Sequence, residues 1–226
     1  SVFITFVLRP RPDVLFWILA VVGFWHVNFV SELRDFPPPV GDAVGDFLPY
    51  LFGCYAIWRV TGQYLWHHFE NLPLEFGVWT LGFWWIGVLM TVIFEDVPVQ
   101  RLVLRDIMQQ PGGLLSLFII LAIGCFIGAN QVLVIRSAGY LPKYLFFYIL
   151  GTFMLCLGAV VPGEGLRIHH YIVGLVFIPA FAFPTRMSLI LFAFLFGMYI
   201  NGVARWGFDG ILQDLAVIQG DATGES

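Results

Sequence analysis

Between Val14 and Ala204 the chain is divided into seven mostly apolar stretches, each close to the roughly 20 residues an α-helix needs to cross hydrocarbon. They cover residues 14–30, 47–66, 74–94, 114–135, 144–161, 171–183 and 187–204. The sixth is short and bent at Pro179, and only Pro184-Thr185-Arg186 separates it from the seventh, which makes a tight helical hairpin. Backbone amides have no water to bind inside a bilayer, so a chain of this kind folds there as helices. The expected fold is all-α, a polytopic transmembrane bundle of about seven helices. Composition agrees. Hydrophobic residues make up 59% of the 226 positions and charged ones 12%, and mean hydropathy is +0.86. A soluble domain carries about 25% charged residues. Tyr and Trp, eight of each, suit the bilayer interface.

The connections are polar and rich in breakers, such as Pro37-Pro38-Pro39 and Pro162-Gly163-Glu164-Gly165. Residues 98–110 alternate Leu102, Leu104, Ile107 and Met108 with Arg101, Arg105, Asp106 and Gln109. That pattern predicts a short helix lying in the interface. Residues 1–13 read as the end of an upstream segment and a linker, residues 14–213 as the membrane domain and residues 214–226 as a polar C-terminal tail. No internal repeat is visible. The net charge of −4 excludes nucleic acid as a partner, which would need a basic patch. Cys54, Cys125 and Cys156 sit within apolar runs and read as small hydrophobes.

Seven crossings put the termini on opposite sides, here side A for Ser1 and side B for Ser226. Lys and Arg divide six to five, so the positive-inside rule does not orient the chain. Twelve of the fifteen acids fall on side B. Ionisable groups at membrane helices default to functional candidates, and side B gathers His26, Asp46, Glu164, Arg167, His169, His170, Asn201, Arg205 and Asp209. Asn201, Arg205 and Asp209 follow at i, i+4 steps and would share one face of the seventh helix and its extension. One reading makes this set interfacial caps and salt bridges, with Glu164 capping the sixth helix. A second makes it a polar ligand pocket. A third makes His26, His169 and His170 metal or haem ligands. The sequence requires no cofactor. His67 and His68, on side A, fit an aromatic belt, and Arg59 is placed to snorkel to that surface.

Several stretches resemble the membrane region of fungal LCCL-domain proteins. The most specific are residues 167–171 (RIHHY), 183–188 (FPTRMS) and 200–213 (INGVARWGFDGILQ). Residues 23–29 (GFWHVNF), 45–50 (GDFLPY), 55–60 (YAIWRV), 109–112 (QQPG) and 141–150 (LPKYLFFYIL) add to it. The resemblance implies a multi-pass fungal protein of the secretory pathway or cell surface, following a small soluble LCCL module whose last strand would be residues 1–8. It implies no reaction.

Two functions from different classes follow. One is a non-enzymatic accessory, lipid-binding or anchoring subunit, whose partners are membrane lipids and other membrane subunits. The other is an intramembrane metal-dependent lipid hydrolase built on the His/Asp cluster, because a bound metal activates water at neutral pH. It lacks the HxxxH pair of known seven-helix lipid hydrolases. No GxSxG, HExxH or Walker pattern occurs.

Overall fold

The computed structural model describes residues 10–31, 40–97, 111–162, 164–166, 169–208 and 210–214. The expected upstream strand at residues 1–8, the amphipathic stretch at residues 98–110, and Arg167 and Asp209 lie outside these.

The described chain is helical, apart from one pair of three-residue strands. Helix α1 covers Pro12–Phe29 and α2 Val40–Ile57. A π-helical turn, Trp58–Gly62, carries α2 directly into α3, Gln63–Phe69. A second π-helical segment, Leu74–Trp79, opens α4, Thr80–Val88. The chain then breaks at Leu89 before the short α5, Met90–Ile93. Helices α6, Gly113–Ser137, and α7, Leu141–Ala159, form a hairpin. Helix α8, His170–Phe177, tightens into a 3-10 turn at Ile178–Phe181, and α9 covers Arg186–Trp206. Among the described residues four helices are long and apolar enough to cross a membrane: Pro12–Phe29, Gly113–Ser137, Leu141–Gly158 and Arg186–Trp206. Leu74–Val88 and His170–Phe181 are shorter apolar helices.

Several boundaries differ from the sequence expectation. The second helix starts at Val40, seven residues before the apolar run, because small and acidic residues such as Gly41, Asp42 and Gly45 stay helical at an exposed end. Asp46 is therefore in its second turn, not at its start. Helix α9 stops at Trp206, where Gly207 takes φ +69°, a left-handed conformation that glycine tolerates. The expected helical extension toward Asp209 is absent. In its place Leu212–Asp214 pairs antiparallel with Glu164–Leu166. Glu164 is thus in a strand, five residues before His169, the N-cap residue of the sixth helix.

Helix α9 is the centre of the bundle. In its span 72% of the residues are buried, against none in Leu141–Gly158. Phe16 of α1 stacks on Phe196 of α9 with ring centroids 4.5 Å apart, and it also meets Trp58 and Trp66. Tyr50 of α2 donates to the Ala20 carbonyl at 2.9 Å, and Tyr199 of α9 donates to the Tyr50 carbonyl at 3.2 Å. Helices α4 and α9 cross at two glycines. A Cβ on Gly87 would meet the Phe194 carbonyl, and one on Gly197 the Trp84 carbonyl. Small residues of this kind let membrane helices approach to backbone contact, where dispersion and not hydrophobicity holds them together.

Polar residues inside the apolar runs fasten the rest. Gln131 of α6 donates to the Ala180 carbonyl at 2.6 Å and accepts from Ser188 at 3.3 Å. Tyr144 and Tyr148 of α7 donate to the Pro179 and Val176 carbonyls at 2.8 and 2.9 Å. At the start of α9, both Nε and Nη2 of Arg186 donate to Oε1 of the buried Glu75, at 3.2 and 3.0 Å. The α6–α7 hairpin therefore hangs on the 3-10 corner, while its other faces present large apolar side chains such as Phe118, Phe126, Phe147 and Phe153.

Candidate functional site

The polar cluster expected on side B begins with a fault in the third helical segment. Leu89 adopts φ −101° and ψ 18°, and the Val92 amide turns to the Leu89 carbonyl at 3.0 Å. The Val92 amide, which a continuous helix would direct to the Val88 carbonyl, is thereby turned away from it. Asn201 of α9, fully buried, supplies a donor: its Nδ2 donates to the Val88 carbonyl at 2.7 Å and to Thr91 Oγ1 at 3.3 Å. One turn later Arg205 donates from Nη1 to the same Thr91 oxygen at 3.1 Å, and its guanidinium lies 5.6 Å from the Trp206 ring centroid. A planar guanidinium suits both contacts, since it donates in plane and stacks on an aromatic face. Asn201 and Arg205 thus share a face as their spacing implied, and that face meets the end of the third helical segment.

The other expected residues stand around this contact. His26 of α1 packs edge-on against Trp85, with centroids 5.1 Å apart. His169, buried, stacks on Tyr171, while half-buried His170 faces Trp206 at 5.7 Å. The Asp46 carboxylate lies against the end of α9, 2.8 Å from where a Cβ on Gly207 would sit. The cluster is therefore drawn from α1, α2, α4–α5, α8 and α9. His169 and His170 lie beside the last turn of α9, because Tyr171 packs on Gly202. Both histidines are at the end of the bundle and not at its middle, as the breaker run before them suggested.

Metal chemistry is less well served. Among the described residues no three His, Cys, Asp or Glu side chains come close enough to hold one ion. His169 is the extended N-cap residue of α8 and His170 its first helical residue, and the two rings face different aromatic partners. Thr91 and the Val88 carbonyl escaped the sequence reading. The available signal was Thr91 itself, a hydroxyl one turn before Glu95-Asp96 in an otherwise apolar run.

Asn201→Leu should cost about 1–3 kcal/mol, because it removes the Nδ2 donor from the buried Val88 carbonyl. Arg205→Ala should lower the melting temperature in detergent more than Arg136→Ala, which alters an exposed side chain at the end of α6. Equal melting curves for the two arginine variants would show that the Thr91 contact contributes nothing.

The chain is 30% identical over 224 residues to the uncharacterized protein YIL067C of Saccharomyces cerevisiae. The alignment covers 92% of this chain and 32% of that protein, so the chain spans about a third of the relative's length. No family model matches, and no solved structure matches.

Proposed function

We propose that the chain is a seven-pass, non-enzymatic membrane subunit that binds lipid and anchors or accompanies other proteins. The observation that carries this reading is the α6–α7 hairpin. None of the residues in Leu141–Gly158 is buried, and 11% are in the Gly113–Ser137 span. Surface of this size and apolarity is covered only by acyl chains or by another membrane subunit. Seven passes follow if Val40–Phe69, Leu74–Ile93 and His170–Phe181 cross alongside the four longer helices. The contacts support that path. Helix α9 runs parallel to α1 and α4 and antiparallel to α8, as strict alternation requires. On this reading the side B cluster joins helices and performs no catalysis. A soluble module of the LCCL type on the longer protein would place side A outside the cytosol. The 32% coverage of the yeast relative leaves room for such a module.

The test is elemental analysis of the purified protein together with incubation in mixed phospholipid vesicles. The expected result is sub-stoichiometric zinc and iron and no release of fatty acid or headgroup. One tightly bound zinc or iron per chain, or lipid turnover lost in a His169→Ala variant, would replace this reading with the hydrolase.

A further inference from the structure

On the opposite face from the side B cluster, α1 and the α2–α3 helix enclose a cleft of about 800 Å³ that opens sideways. Its walls change character along their length. At one end stand Asp13 of α1 and Arg59 and Gln63 of the second helix. Farther along lie Ile18, Val21 and Tyr55, which are substantially exposed. From Asp13 to Val21 the cleft follows eight residues of helix, or about 12 Å. Asp13 sits in the first turn of α1, so the charged end is level with the edge of the bilayer and the apolar end points into it.

Two polar groups at the mouth are incompletely used. Arg59 lies in the π-helical turn Trp58–Gly62 and donates to Gln63 Oε1 at 3.2 Å. Among the described residues it forms no ion pair, which leaves most of its five donors to a ligand or to water. Asp13 takes Arg11 on Oδ2 at 3.1 Å, while its Oδ1 is buried without a hydrogen-bond partner. A buried carboxylate oxygen without a donor is costly and selects for one. Both groups line the cleft, and a regular helix in place of the π-helical turn would give Arg59 a different direction around the axis.

We propose that this cleft binds one glycerophospholipid whose headgroup carries an N–H donor. Its phosphate lies on Arg59, its ammonium on the Asp13 carboxylate, and one acyl chain runs along Ile18 and Val21. Arginine pairs with phosphate through parallel N–H···O bonds. A quaternary choline has no N–H and cannot satisfy Asp13. The inference deepens the lipid-binding reading above and rests on it.

Native mass spectrometry of the full chain in detergent, titrated with dioleoyl phosphatidylethanolamine or dioleoyl phosphatidylcholine, tests it. The wild type should hold the ethanolamine lipid about fivefold or more tighter. Arg59→Gln should bind both lipids about tenfold more weakly, the loss of one charge-assisted contact. Arg59→Lys, which keeps the charge but loses the paired donors, should fall between the wild type and Arg59→Gln. Asp13→Asn should abolish the preference while leaving phosphatidylcholine binding unchanged. Equal affinity of the wild type for both lipids, or Arg59→Gln binding like the wild type, would overturn the cleft and leave the subunit reading standing. A loss in Arg59→Gln that Arg59→Lys does not restore even in part would overturn the phosphate assignment. Release of lysolipid from the bound complex would instead overturn the non-enzymatic reading.

Discussion

Gly197→Val is expected to abolish folding of the helical core, with a loss above about 3 kcal/mol. A side chain there meets the Trp84 carbonyl, and its next neighbours are the Val88 amide and the Gly87 Cα. Each is backbone of the packed helix α4, so no rotamer change relieves the overlap. The helices must separate, and separation forfeits the dispersion contacts along the whole α4–α9 crossing. Gly87→Val should behave alike, since it strikes α9 from the other side. Gly82→Val supplies the control: it lies in the same helix as Gly87, and nothing stands within 4 Å of its Cβ position. The measurement is the yield of monodisperse protein in mild detergent and its melting temperature. If Gly197→Val elutes and melts like Gly82→Val, the two helices do not cross at these glycines.

Phe16→Ala should cost about 3 kcal/mol or more. The ring is fully buried and joins three parts of the bundle through Trp58, Trp66 and Phe196. Its removal leaves a cavity that cannot collapse without moving two tryptophans, and Phe→Ala in such sites costs about 3–5 kcal/mol. Phe118→Ala makes the same chemical change at a residue 71% exposed on α6. Its effect should stay within about 0.5 kcal/mol, because surrounding lipid fills the space. Equal losses for the two variants would mean that α6 packs on something as dense as the core.

Much of this arrangement was readable before any coordinates, and the reason is physical. Apolar runs of near-spanning length leave the backbone few alternatives in lipid, so each run is helical in the structure, although the second begins seven residues early and the third is broken at Leu89. The ends were harder. The start of the second helix at Val40 depends on small residues that carry no hydrophobic signal. The end of α9 depends on a left-handed Gly207 where the Asn201, Arg205, Asp209 spacing implied continued helix. The site was legible in part. The gathering of His26, Asp46, His169, His170, Asn201 and Arg205 at one end follows from the alternating directions of the helices expected from the sequence. The partner of Asn201 does not. It is a carbonyl released by the break at Leu89, and a broken hydrogen bond leaves no mark on side-chain composition. The Asp13–Arg59 cleft was hidden for a similar reason. The π-helical turn that shapes it is a one-residue irregularity within an apolar stretch.

The hairpin of α6 and α7 joins two rods of unequal length. At about 1.5 Å per residue, 25 residues of α6 reach about 37 Å and 19 residues of α7 about 28 Å. A hydrocarbon layer of about 30 Å matches the second and is shorter than the first, so a membrane-spanning α6 tilts, carries its ends into the interface or thickens the bilayer around it. Its buried attachments, Gln131 and Ile135, lie toward one end, and no side chain between them and Gly113 is buried. The lean is therefore set by the surrounding membrane more than by the protein. In a thin membrane α6 tilts away from α7, and in a sterol-thickened one the two stand closer to parallel. Hydrophobic mismatch thus makes the outer edge of this molecule sensitive to which membrane it occupies.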